Sequence, residues 1–130
     1  MAHVQDRPLS PHLQIWRWHV TMLASIAHRA SGVAMYVGVL GLAGWLLALA
    51  LGGDLFVTVD TLVRSLLGQV ALYTLVAAFG YHLCNGLRHL FWDFGAGFKP
   101  AFASMTAWAA LAVGVIGAPL ALFLLLNVAG

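Results

Sequence analysis

The placement of its few charged residues constrains this chain more than any other feature. Ala30–Gly53 holds no Asp, Glu, Lys or Arg over 24 residues, Ser65–Leu87 holds none over 23, and Pro100–Gly130 holds none over 31. A helix rises about 1.5 Å per residue, and a hydrocarbon core about 30 Å thick takes roughly 20 residues. Each stretch is therefore long enough for one crossing and too short for two. Lipid offers no partner for an unpaired backbone group, so segments of this kind cross as helices. The sequence predicts an all-α integral membrane protein with three transmembrane helices, at residues 30–51, 66–90 and 104–127.

Composition closes off the other classes. Of 130 residues, 62% are hydrophobic and 8% charged, and the mean hydropathy is +0.94. A soluble domain carries about 25% charged residues, because a small globule has a large surface to keep in water. This chain cannot coat such a surface, which excludes an ordinary soluble enzyme, a disordered tail and a disulfide-stapled secreted domain. Nucleic acid is not an expected partner: the pI near 9.1 reflects scarce acids, and the bases form no cluster. Cys84 is the single cysteine, so neither an internal disulfide nor a Cys-x-x-Cys-His haem attachment is available.

The flanks set orientation and organisation. Arg7, Arg17 and Arg29 precede the first helix, and Arg88 and Lys99 lie between the second and third; Arg64 alone lies on the other side, with Asp54 and Asp60. The positive-inside rule then places the N-terminus in the cytoplasm and the C-terminus in the periplasm. Residues 1–29 read as an N-terminal cytoplasmic arm and the interfacial start of the first helix, and 30–130 as the three-helix anchor. Arg7-Pro8 and Ser10-Pro11 imply an extended or turning arm. Neither a cleavable signal nor a transit peptide is recognisable, which favours a bacterial inner membrane over a mitochondrial one. Gly52-Gly53-Asp54 should end the first helix, Gly95-Ala96-Gly97 should follow the second, and Pro119 should kink the third. Small residues four apart (Ala34 and Gly38, Gly44 and Ala48, Gly114 and Ala118) either mark close helix contacts or reflect how common Ala and Gly are here.

The informative side chains are the polar ones at membrane depth. His82 lies six residues before Arg88, roughly 9 Å inside that boundary, and an intramembrane ionisable group is a functional candidate. Gly86, His89 and Asp93 continue its stripe at i+4, i+7 and i+11. A His with a Gly one turn away suits a bulky planar ligand, the imidazole supplying an iron ligand and the Gly leaving room for a macrocycle. A His bonded to a neighbouring helix fits the same pattern, and spacing alone leaves both readings open with the plainer one ahead. Ser25, His28, Arg29 and Gly32 form a second set on one face of the first helix. They could bind a carbonyl headgroup or paired carboxylates, or anchor a helix end at anionic lipid. His89, Arg88 and Asp93 read as an interfacial cluster. Arg88 and Asp93, five apart, are poorly spaced for each other, so partners elsewhere are expected. Trp16, Trp18 and Trp92 suit an aromatic belt. His3, His12 and His19 read as surface residues and Cys84 as packing.

Two segments together carry a resemblance. The first is Arg7-Pro8-Leu9-Ser10-Pro11-His12-Leu13 followed by Ser25-Ile26-Ala27-His28-Arg29-Ala30-Ser31-Gly32. The second runs from His82-Leu83-Cys84-Asn85-Gly86-Leu87-Arg88-His89 to Leu90-Phe91-Trp92-Asp93-Phe94-Gly95. In this order, on a three-helix chain, they resemble the cytochrome b family of larger membrane anchors in succinate dehydrogenase, respiratory complex II.

That resemblance implies an electron-transfer anchor subunit, non-catalytic by itself, with haem b and ubiquinone. It implies His82 as one axial haem ligand, the other coming from the smaller anchor subunit, with Gly86 packing on the haem. It implies His28 and Arg29 near the haem propionates, Ser25 and Arg29 at the ubiquinone pocket, and Asp93 near the proton supply. His89 is not expected to bind iron. A flavoprotein subunit and an iron–sulfur subunit are the further implied partners, and succinate should never touch this chain. A haem-free structural anchor, or an anchor of a fumarate reductase-type complex, is the alternative.

Overall fold

The computed structural model describes residues 16–129. Helix α1 (Val20–Leu51) leads into a short helix, α2 (Gly53–Arg64), and then α3 (Leu66–Asp93). A third span follows, in which α4 (Pro100–Ala112) and α5 (Ala118–Ala129) are joined by a π-helical turn at Val113–Gly117. Among the described residues, three helices are long and apolar enough to cross a membrane: Val20–Leu51, Leu66–Asp93 and Pro100–Val128. No strand occurs among the described residues. The expected turns at Arg7-Pro8 and Ser10-Pro11, with His3 and His12, lie outside them.

The pattern of burial explains why such a bundle needs lipid. The buried side chains are small or polar (Ala24, Ala48, Ala107, Ala110, Ser31, Asn85, Arg88 and Tyr81), while leucines, valines and phenylalanines cover the outside. A soluble protein inverts this arrangement. Without a hydrophobic force between helices in lipid, association rests on close packing and interhelical hydrogen bonds, and the buried set is suited to both.

Each joint has a local cause. α1 ends at Leu51 where Gly52 and Gly53 take φ of 67° and 61°, a left-handed region that glycine enters without steric cost. The segment between the first two spans, expected only as a charged connection, is the helix α2. Asp54 sits in its first turn and Arg64 in its last, matching the helix dipole, and Arg64 pairs with Asp60 at 2.6 Å. Ser65 caps α3 by accepting the Gly68 N–H at 3.2 Å. α3 ends in a Schellman turn: Ala96 N–H donates to Phe91 O at 3.2 Å and Gly95 N–H to Trp92 O at 2.8 Å, with Gly95 at φ 78°. Pro100 then opens α4 at a position where its missing N–H costs nothing.

α1 begins at Val20, so Ser25, His28 and Arg29, expected at the interfacial start of the first helix, lie in regular helix. Its N-cap is His19, which accepts the Thr21 N–H at 3.4 Å. His19 is exposed, as expected, but has this local task.

Small residues set the closest helix approach. A Cβ on Gly80 of α3 would lie 2.6 Å from Ala118 Cβ, and one on Gly114 would collide with the backbone of Tyr81. A Cβ on Gly38 would lie 2.7 Å from Leu75 Cδ2, whereas one on Gly44 would meet nothing within 4 Å. Of the spaced small residues, Gly38 and the Gly114–Ala118 pair therefore lie at helix contacts and Gly44 does not. The expected kink at Pro119 takes the form of the π turn. Ala118 N–H donates to Val113 O, one residue further back than in an α-helix, and the wider turn relieves the clash of a proline ring with the carbonyl behind it.

Candidate functional site

The polar residues of α1 and α3 converge around His82. Ser31 Oγ donates to the His28 carbonyl of its own helix at 2.8 Å and lies 3.0 Å from His82 Nδ1 on α3. Gly32, the next residue, forms the floor: a Cβ there would stand 3.3 Å from His82 Cε1, so the imidazole rests against bare backbone. The His28 ring lies 3.9 Å from that of His82 and 5.5 Å from that of His89, centroid to centroid. His28 Nε2 is buried and has no hydrogen-bond partner among the described residues, an exception that calls for an explanation in a folded protein. His82 Nε2 makes no hydrogen bond to the described residues, and His82 is half-buried.

The neighbouring polar groups are already engaged. Asn85 is fully buried; its Oδ1 accepts from Arg88 Nη1 at 3.0 Å, which leaves Nδ2 to donate to His89 Nε2 at 3.3 Å. Tyr81 carries its hydroxyl across to the Ala24 carbonyl of α1 at 2.5 Å, pinning α1 to α3 one turn from the histidines.

Arg88, expected in an interfacial cluster with partners other than Asp93, is held between α3 and the first turns of α4. It is 7% exposed. Nε donates to Thr106 Oγ1, Nη2 to the Ala103 carbonyl and Nη1 to Asn85, each at 3.0 Å, and the guanidinium lies 4.2 Å over the Trp92 ring. Position 88 lies on the α3 face that packs against α4, so its guanidinium meets Thr106 and Ala103 rather than water. Its partners lie elsewhere than Asp93, in line with their spacing.

Ser25 and Arg29 share the α1 face of His28 and Gly32; Ser25 is half-buried and Arg29 exposed. Asp93 is exposed on the last turn of α3, and a Cβ at Gly86 would meet nothing within 4 Å. Thus Ser31, Gly32, His28 and His82 meet directly, while Gly86 and Asp93 lie along the same α3 stripe without joining that contact. Sequence reasoning assigned no role to Ser31, Asn85 or Tyr81. The available signal was polarity alone, three hydrogen-bonding groups in otherwise apolar helices.

Chemically, the arrangement presents an imidazole held through one nitrogen, with the other making no bond to the described residues. Histidine takes this state as a metal ligand, its second nitrogen fixed by an outer hydrogen bond. A haem b group fits the residues present: His82 Nε2 for iron, the unpartnered His28 Nε2 for a carboxylate, and the uncovered backbone at Gly86 for a flat ring.

Comparison with known proteins agrees with this architecture. A family described as succinate dehydrogenase/fumarate reductase transmembrane subunit matches residues 4–121. The succinate dehydrogenase cytochrome b556 subunit of Paracoccus denitrificans is 39% identical over 117 residues, 90% of this chain and 90% of its own length. That of Rickettsia felis is 34% identical over 110 residues, 85% of this chain and 86% of its own. The mitochondrial cytochrome b560 subunit of Sus scrofa is 48% identical over 99 residues, 71% of this chain and 56% of its own. With three apolar spans, a histidine-centred polar cluster and matches over nearly its whole length, this chain belongs to the family of cytochrome b membrane-anchor subunits of succinate dehydrogenase.

Proposed function

We propose that this chain binds haem b through His82 and forms part of a ubiquinone-reduction site, passing electrons from succinate oxidation in partner subunits to quinone in the membrane. The observation that carries this reading is the state of His82: bonded through Nδ1 to Ser31, with Nε2 making no hydrogen bond to the described residues. Engagement of His89 Nε2 by Asn85 supports His82 over His89 as the ligand. Bound haem would supply one-electron redox chemistry, and with a second histidine from the smaller anchor subunit it would keep no open position for oxygen.

This chain's own residues hold and exclude. His28 and Arg29 neutralise the propionate carboxylates, and Gly86 leaves backbone for the ring to lie against. Ser25 and Arg29 donate to the quinone carbonyls, where the Arg29 guanidinium stabilises negative charge developing on oxygen. Asp93, exposed at the end of α3, stands where protons can reach that pocket. The flavoprotein and iron–sulfur subunits hold the succinate chemistry, so this subunit is not catalytic alone. Its arginine-bearing side faces the cytoplasm of a bacterial inner membrane, which puts the C-terminus in the periplasm.

The test is a reduced-minus-oxidised spectrum of the purified complex, expected to show b-type haem bands with a low-spin, two-histidine signature. His82→Ala should abolish that signature, and its persistence at full occupancy would refute the ligand assignment. The second reading, a haem-free structural anchor, draws on the same interhelical bond between Ser31 and His82. It predicts no haem bands at all. A fumarate reductase-type anchor remains the alternative for reaction direction, decided by whether the complex turns over faster with succinate and quinone or with fumarate and quinol.

A further inference from the structure

We propose that Ser31 is a positioning residue for His82, setting which ring nitrogen carries the proton and presenting Nε2 for iron. This rests on the haem reading above. The hydroxyl of Ser31 has one hydrogen, and it is committed to the His28 carbonyl at 2.8 Å. At 3.0 Å from His82 Nδ1 the same oxygen can then only accept, so Nδ1 carries the proton and donates. The lone pair is left on Nε2. A serine bonded back to its own helix satisfies its donor without leaving the apolar layer, and its lone pairs are turned towards α3. Ser31 is itself buried, at 6% exposure, so water does not compete for the contact.

Two further observations make the contact directional rather than incidental packing. Gly32 brings the α1 backbone against the imidazole, and a side chain there would press on Cε1 at 3.3 Å, so the ring is seated on one side. Tyr81, adjacent to His82, is bonded to the Ala24 carbonyl of α1, which holds the two helices at the spacing the Ser31 bond needs. Donation from Nδ1–H to an acceptor increases the electron density that the other nitrogen gives a metal. That favours ferric over ferrous haem, so Ser31 would hold the haem potential down.

The experiment uses the full complex purified with its partner subunits and compares wild type, Ser31→Ala, Ser31→Thr and His82→Ala by haem content, low-spin spectral signature and redox titration. Removing an outer-shell partner of a histidine ligand commonly costs about tenfold or more, and a tenfold change in ferrous-to-ferric stability is about 59 mV for one electron. Ser31→Ala is expected to keep its haem with the potential raised by about that amount, and Ser31→Thr, which retains the hydroxyl, to return towards wild type. A Ser31→Ala complex with unchanged potential and spectrum overturns the proposal. If Ser31→Ala loses haem or fails to assemble, recovery by Ser31→Thr supports the hydroxyl's role, and failure of both variants assigns Ser31 to packing and overturns it. A His82→Ala complex that keeps the low-spin signature defeats the ligand reading itself, a failure separate from any result at Ser31.

Discussion

Arg88 concentrates more interaction than any other single residue described here. Three hydrogen bonds and an aromatic face engage one guanidinium at the meeting of α3 and α4, in a place with little water to replace them. Hydrogen bonds to charged groups are worth about 1.5–3 kcal/mol each, and truncation would strand Asn85 and Thr106. Arg88→Ala is expected to destabilise the purified subunit by roughly 3 kcal/mol, read as a lowered Tm in detergent. Arg64→Ala removes only a surface i,i+4 pair and should cost less than about 1 kcal/mol. At the proposed quinone pocket, Ser25→Ala and Arg29→Ala are expected to slow succinate-to-quinone electron transfer by at least about tenfold. Succinate oxidation with an artificial acceptor should be spared; equal loss of both activities would point to failed assembly. These residues were legible because each is polar near the end of a long apolar stretch. Their partners were not, since Ser31 and His82 are 51 positions apart and only helix packing makes them neighbours.

The elements end where their local chemistry says they should: glycines at 52, 53 and 95, a serine cap at 65 and a proline at the start of α4. Inter-element contacts follow a different logic, that of residue size. At Gly114 a side chain would strike the Tyr81 backbone, which cannot yield as a flexible side chain does. Gly114→Val should therefore weaken the α3 contact by about 1–3 kcal/mol or more, detected as reduced recovery of folded subunit and a lower Tm. Gly44→Ala, where a Cβ meets nothing within 4 Å, should be neutral to within about 0.5 kcal/mol. The sequence flagged both glycines by the same four-residue spacing, and spacing could not separate them because it does not say which helix face meets a partner. α2 escaped notice because its helical pattern is carried by only 12 residues, between two far longer apolar signals.

At the scale of the molecule, the three spans place His19, Arg29, Asp93 and Lys99 towards one end of the bundle and Asp54, Asp60 and Arg64 at the other. The proposed orientation makes a direct prediction. In a Cys84→Ala background, Lys99→Cys should resist a membrane-impermeant thiol reagent in intact cells with a permeabilised outer membrane and react after inner-membrane lysis, whereas Asp60→Cys should react in both. The opposite labelling would reverse the topology.

What the sequence determined by itself was the number of crossings, because hydropathy and charge are properties of a residue in its solvent and need no neighbour. The stripe His82, Gly86, His89 and Asp93 was equally legible, since helical periodicity relates residues within one element. The tertiary structure decided which of those groups are engaged and by whom. It gave His82 a hydroxyl from α1, buried Arg88 against α4 and left Gly86 uncovered. Those outcomes depend on the rotation and approach of one helix against another, set by small-residue contacts such as Gly80 with Ala118, and no one-helix pattern encodes them.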